Sequence, residues 1–277
     1  MFDDNVCTLL IDLPEIVPTM KKLSMLMLSL GLLSSSVALA QSELRFGLEA
    51  EYPPFESRNA KGQLEGFDID LGNAICKAGN FTCSWVEASF DALIPALQAK
   101  KFDAINSAMN ITEKRKEAID FTQPIYRIPT QLVGKPNTGL APTTDALKGK
   151  NIGVLQGSIQ EVYAKAHWEP KGVTVTSYKD QNLAYDDLAA GRLDGTLVMA
   201  AAGQSGFLDK PEGKGFAFIG GPVEDTAILG SGIGFGLRKS DAALKAELDK
   251  AIKQVKDDGT VEKLAKQYFP GFDVRVQ

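Results

Sequence analysis

Twice along this chain, short apolar strands alternate with amphipathic helices. The first series reads as strand Leu44–Leu48, helix Phe67–Ala78, strand Cys83–Glu87, helix Leu93–Ala99 and strand Ala104–Ser107. Ile69, Leu71, Ala74 and Ile75 share one face of the first helix; Leu93, Ile94 and Leu97 share one face of the second. The series then restarts, with strand Asn151–Leu155, helix Ile159–Trp168, strand Thr174–Tyr178, helix Leu183–Ala190 and strand Gly195–Val198. The glycine-rich stretch Gly230–Gly236 supplies a last strand, and helices Ala242–Asp257 and Thr260–Tyr268 follow. Such alternation buries its apolar faces as a sheet flanked by helices, so the fold class is α/β. Its doubling predicts two α/β lobes, with crossings near Ile128–Gly134 and Leu229–Ile233. Pro129 and the glycines Gly230, Gly232 and Gly234 suit the backbone to such crossings. The lobes are expected at 41–130 with 232–277, and at 131–231. In sheets of this kind ligands bind beyond the carboxyl ends of the strands, and two lobes can set those ends across a cleft.

The start of the chain carries an export signal. Met20-Lys21-Lys22 is a short basic opening, Leu23 to Leu33 an apolar run, and Ala38-Leu39-Ala40 a small-residue cleavage pattern. Residues 20–40 therefore read as a signal peptide cut near Ala40/Gln41, with a periplasmic destination. Residues 1–19, acidic and placed before a complete signal, read as a start codon assigned too early, Met20 being the true start. Without residues 1–40, which hold Asp3, Asp4, Asp12, Glu15, Lys21 and Lys22, 28 basic residues face 31 acidic ones, a net of −3. That balance gives no footprint for nucleic acid or an anionic membrane surface. No later apolar run reaches the roughly 18 residues that a span needs. Cys76 and Cys83 remain, and export to an oxidising compartment predicts a disulfide between them. The single histidine, His167, lies far from both, so no metal site is expected.

Two segments carry the candidate chemistry. Leu44–Glu56 reads as a strand running into a loop with Glu49 and Tyr52. Phe102–Arg115 reads as a strand ending in small polar residues, then a helix with Arg115 in its first turn. Thr112 is a good helix N-cap, which sets Arg115 beside free backbone N–H groups, where a guanidinium can grip a carboxylate. Glu51 reads as a solvated loop charge. Ser158 and Glu161 form an S-x-x-E capping box, and the same turn, Gln156-Gly157-Ser158, has the form of an anion site. Taken alone, these residues fit a solvated arginine and a well-made helix start equally well. Together they point to recognition of a small molecule with a carboxylate at one end and a cation at the other.

The motifs Glu51-Tyr-Pro-Pro-Phe-Glu56, Gly66-Phe-Asp-Ile-Asp-Leu71, Asp91-Ala-Leu-Ile-Pro95, Ile111-Thr-Glu-Lys-Arg115, Asp120-Phe-Thr122, Leu147–Gly157 and Asp258–Phe269 run through the chain in order. In these the sequence resembles the periplasmic solute-binding proteins of polar amino-acid ABC importers, above all the lysine/arginine/ornithine- and histidine-binding branch. The resemblance implies a type II periplasmic-binding-protein fold, two lobes joined by a two-strand hinge that close on ligand. The Cys76/Cys83 pair also matches that branch. The resemblance further implies a non-catalytic monomer without cofactor, which hands its solute to a permease in the inner membrane. By the same token Arg115 takes the ligand carboxylate, Tyr52 and Phe90 flank its side chain, and Glu49 meets its distal cation. Ser107 and Asn110 line the strand end, and Gly157 and Ser158 reach the ligand from the second lobe. A cyclohexadienyl-dehydratase-like enzyme on the same fold is the alternative.

Three positions depart from that pattern. The second-lobe aspartate that pairs with a ligand's α-ammonium falls on Met199, and two hydroxyl positions nearby become Ala108 and Ile159. A buried charge left without its partner costs about 3–5 kcal/mol, while micromolar binding is worth only about 8 kcal/mol in all. The expected ligand is therefore a cationic carboxylate lacking a free α-ammonium, such as a guanidino acid or an opine. A basic amino acid is the broader class.

Overall fold

A computed structural model describes residues 42–276. The readings for 1–19, for the signal peptide and for its cleavage position lie outside the described residues. Strand β1 (Ser42–Leu48) leads into a small antiparallel sheet of β2 (Glu51–Tyr52), β3 (Glu56–Arg58) and β4 (Leu64–Glu65). Then come α1 (Phe67–Gly79), β5 (Phe81–Glu87), α2 (Leu93–Gln98), β6 (Ala104–Ile105), the short α3 (Glu113–Lys116) and β7 (Asp120–Phe121). The second series is β8 (Thr130–Gly134), β9 (Asn151–Leu155), α4 (Ile159–His167), β10 (Thr174–Tyr178), α5 (Gln181–Ala189), β11 (Gly195–Met199) and β12 (Ala217–Val223). The chain then returns to the first sheet as β13 (Gly236–Leu237) and continues into α6 (Ala242–Asp257) and α7 (Thr260–Tyr268).

The two larger sheets have matching plans, β5-β1-β6-β13-β7 and β10-β9-β11-β8-β12. In the first, β1 runs parallel to β5 and β6, and β13 runs antiparallel to β6 and β7. In the second, β9 is parallel to β10 and β11, while β8 is antiparallel to β11 and β12. Each sheet thus forms a lobe whose parallel strands end on one edge, where ligands are held in α/β folds. The first lobe packs Phe46 against Trp85 at 5.2 Å and Phe67 against Phe269 at 4.5 Å. The second is built on Leu132, Ile152, Val154, Trp168 and Leu197.

The first crossing between lobes falls within the expected stretch Ile128–Gly134. Thr130–Gly134 already belongs to the second sheet, since Leu132 pairs with both Leu197 and Ile219. The two crossing segments bind each other: Ile125 N–H donates to Ile233 O at 2.7 Å, and Ile233 N–H donates to Tyr126 O at 2.8 Å. The strand expected over Gly230–Gly236 is reduced to an isolated bridge at Ile233 followed by Gly236–Leu237. Gly230 and Gly232 have positive φ, so this stretch cannot lie flat in a sheet.

A disulfide joins Cys76 near the end of α1 to Cys83 on β5, with 6.2 Å between their Cα atoms. A loop this short restricts the unfolded chain by about 2–3 kcal/mol. Reduction, or Cys76→Ser with Cys83→Ser, should lower the midpoint of thermal unfolding by about 5–10 °C for a domain of this size. Calorimetry with and without reductant checks this.

Candidate ligand-binding site

The lobes meet across their strand ends, and polar contacts bridge them. Arg115 Nη2–H donates to Gly157 O at 3.1 Å, Gln156 Nε2–H to Asp91 Oδ2 at 3.0 Å, and Asn182 Nδ2–H to Glu51 Oε2 at 3.1 Å. Gly157 packs so close that a Cβ there would lie 2.9 Å from Asp91 Cα. Two of these contacts were not legible beforehand. Glu51, read as a solvated charge, is exposed but reaches a partner 131 residues away. Asp91 appeared only as a letter in a motif.

Arg115 stands where the capping argument put it. Thr112 Oγ1 accepts from Arg115 N–H at 3.2 Å and caps α3. The guanidinium donates from Nη1 to Asn110 O at 2.8 Å and lies 5.4 Å from the centroid of the Phe90 ring. Burial pulls its pKa down to about 10. Of its five N–H groups two are used by carbonyls, and no carboxylate among the described residues pairs with it.

Glu49 follows the end of β1 and is 4% exposed. Its backbone N–H donates to Ser107 Oγ at 3.0 Å, but no cation among the described residues meets its carboxylate. Burial, aided by the charges of Asp180, Glu51 and Asp91, pushes that carboxyl up to about 8. Ser107, Ala108 and Asn110 are buried in the irregular segment beyond β6. Ala108 holds φ +43°, a left-handed conformation unusual for a residue with a Cβ. Its N–H donates to Asp68 Oδ2 at 2.6 Å, which fixes that geometry.

From the second lobe, Ser158 caps α4 by accepting from Glu161 N–H at 3.1 Å. The other half of the expected box is displaced by one residue, because Glu161 Oε2 accepts from Gly157 N–H at 2.7 Å. That N–H is therefore already engaged. Ile159 and Met199 are both buried, at the start of α4 and the end of β11. Tyr52 is buried with its ring stacked on Phe55 at 5.5 Å; burial raises its phenol pKa, and the Met199 backbone of the second lobe offsets part of that rise. Asp194 sits at the far end of β11, where it takes Lys150 Nζ at 3.1 Å and Asn151 N–H at 2.8 Å. It is thus out of reach as a substitute for the acid missing at Met199.

Two strand-end edges closing on a few polar groups define a binding protein of the two-lobed type, and comparison with known sequences is specific. The chain belongs to the bacterial extracellular solute-binding proteins, family 3, matched over residues 44–271. It is 48% identical over 244 residues to the lysine/arginine/ornithine-binding periplasmic protein of Escherichia coli (strain K12), covering 88% of this chain and 94% of that one. It is 46% identical over 258 residues to the histidine-binding periplasmic protein of Salmonella typhimurium, covering 92% and 99%. The solved structure of an ancestral arginine-binding protein bound to arginine superposes with a TM-score of 0.76 at 32% identity, covering 83% of this chain and 99% of that one.

The Gly157–Asp91 approach exists only when the lobes meet. Gly157→Ala should therefore obstruct closure; a cost of about 1.4 kcal/mol would weaken ligand binding about tenfold. Calorimetry, with small-angle scattering to follow contraction on ligand addition, tests this. Asp91→Ala should not rescue the variant, since the nearest atom is backbone.

Proposed function

We propose that this protein is the extracytoplasmic receptor of an ABC importer, capturing a small cationic carboxylate and passing it to a permease in the inner membrane. It acts as an exported monomer and needs no metal or cofactor. The observation that carries this reading is a buried carboxyl, Glu49, and a half-buried guanidinium, Arg115, that do not pair with each other or with any other charged residue described. Burying such groups is costly unless something else completes them. A ligand with a carboxylate for Arg115 and a cation for Glu49 does so, and Tyr52 and Phe90 supply aromatic surface for its stem. Ser107, Asn110, Gly157 and Ser158 complete the lining. The relatives named for lysine, arginine, ornithine and histidine support the basic amino-acid class.

Within that class we favour ligands without a free α-ammonium. Met199, Ile159 and Ala108 offer that group no acceptor side chain, and Asp194 is committed elsewhere. Candidates are 4-guanidinobutyrate, 5-aminovalerate and N-substituted, opine-like arginine. Calorimetry should show 4-guanidinobutyrate binding more tightly than free arginine or lysine. Submicromolar arginine with much weaker des-amino analogues would defeat this reading. Met199→Asp should restore the missing partner and tighten free arginine by about 100-fold or more, given the 3–5 kcal/mol attached to an unpaired buried charge.

Binding should also release a proton. A cation needs Glu49 ionised, yet its carboxyl holds its proton up to about pH 8 without one. Affinity should therefore rise with pH from the ordinary carboxylate range to about 8, by at most about tenfold per unit, and then level off. Calorimetry at pH 7 in buffers of different ionisation enthalpy counts the proton released. Glu49→Gln should abolish the release and lose most of the affinity.

A protonated, buried Glu49 is also what a general acid requires. The dehydratase reading predicts turnover of prephenate or arogenate; the receptor reading predicts none.

A further inference from the structure

Behind Glu49 lie two carboxyl groups that the binding role above does not use. Glu56 on β3 and Asp68 in the first turn of α1 are each 1% exposed. No basic side chain among the described residues pairs with either. Asp68 Oδ1 accepts from the Tyr126 hydroxyl at 2.8 Å, and its Oδ2 accepts from Ala108 N–H at 2.6 Å. Glu56 Oε1 accepts from Ser107 Oγ at 2.6 Å, whereas Glu56 Oε2 is buried with no donor reaching it. Two carboxylates sharing a dry site do not both ionise. Glu56 Oε1 is occupied by the Ser107 hydroxyl, so a proton kept by Glu56 sits on Oε2, and the nearby charge of Asp68 favours its being kept. Burial and the charge of Asp68 both push Glu56 upward, in accord with this. Asp68 also rises through burial, but Ala108, Tyr126 and Glu56 hold it back.

The consequence falls on Ser107. A hydroxyl has one hydrogen to give and two lone pairs. The hydrogen goes to Glu56 Oε1, and one lone pair is taken by Glu49 N–H at 3.0 Å. Only a lone pair is left. We propose that Glu56 is a specificity-determining positioning residue that fixes Ser107 as an acceptor beside Glu49. This end of the cleft then favours ligand heads made of N–H donors and disfavours heads that present an acceptor. The inference rests on placing the ligand's cation at Glu49. Glutamine reproduces the pattern, with its amide donating to Asp68 and its carbonyl accepting from Ser107; leucine removes it and frees the hydroxyl to turn.

The test compares dissociation constants for 4-guanidinobutyrate and the neutral, similarly shaped 4-ureidobutyrate. Wild type should prefer the guanidino compound. Glu56→Gln should keep that ratio within about threefold, while Glu56→Leu and Ser107→Ala should each shrink it by about tenfold, the worth of one hydrogen bond to a charged group. A general loss of stability would weaken both ligands and leave the ratio intact. If Glu56→Leu fails to fold, Ser107→Ala and Glu56→Gln decide. An unchanged ratio in Ser107→Ala, or a ratio lost in Glu56→Gln, overturns the inference while the Glu49 reading stands. A wild type that does not discriminate the two compounds overturns both.

Discussion

A guanidinium taken out of water must find partners for its N–H groups, and Arg115 finds them on both lobes. Asn110 O lies on its own side of the cleft and Gly157 O on the other. Much of the local architecture serves that placement. Thr112 ends the irregular segment and starts α3 so that Arg115 faces the cleft, and Phe90 packs against its ring-like head. Gly157 turns its carbonyl toward the guanidinium because it adopts φ +76°, and only a residue without a Cβ clears Asp91. The group proposed to hold the carboxylate is therefore also a clasp between the lobes. A ligand that engages Arg115 acts on closure through the same atoms, which is the differential contact a hinged receptor needs.

The opposite polarity is organised behind Glu49. Three buried acids, Glu49, Glu56 and Asp68, would repel one another if all were charged. Hydrogen bonds from Ser107, Ala108 and Tyr126 and one shared proton make the group tolerable. The same bonds shape the pocket wall. Asp68 holds Ala108 at a positive φ, a conformation that costs a residue with a Cβ about 1–2 kcal/mol. Strain of this kind persists only where the surroundings over-determine it, and here they lie next to the proposed ligand site.

Much of this was legible in the sequence because it is periodic. Strands Asn151–Leu155 and Thr174–Tyr178 and helices Ala242–Asp257 and Thr260–Tyr268 coincide with the expectation residue for residue. Strands of two or three residues, such as β2, β3, β4 and β7, are too short to show a period of two and were missed. The strand Ala217–Val223 was not expected, and Gly220 and Gly221 interrupt its apolar pattern. The helix caps at Thr112 and Ser158 could be read because they depend on neighbours three residues away. Glu56 and Asp68 could not, because their burial and partners come from segments 40 to 58 residues away.

The middle of the cleft is what motivates the proposed preference for ligands without a free α-ammonium. Ala108 and Met199 come from opposite lobes and share one buried apolar cluster. Met199 ends β11 and Ile159 opens the helix after β9, and these two strands pair as neighbours. An α-ammonium has three N–H groups and needs acceptors. At Met199 the second lobe instead presents a buried apolar side chain, and Ile159 and Ala108 are buried and apolar as well. On the proposed reading, such a surface is matched by a ligand whose α-position is bare carbon, or whose nitrogen is substituted by a group able to rest on methionine and isoleucine.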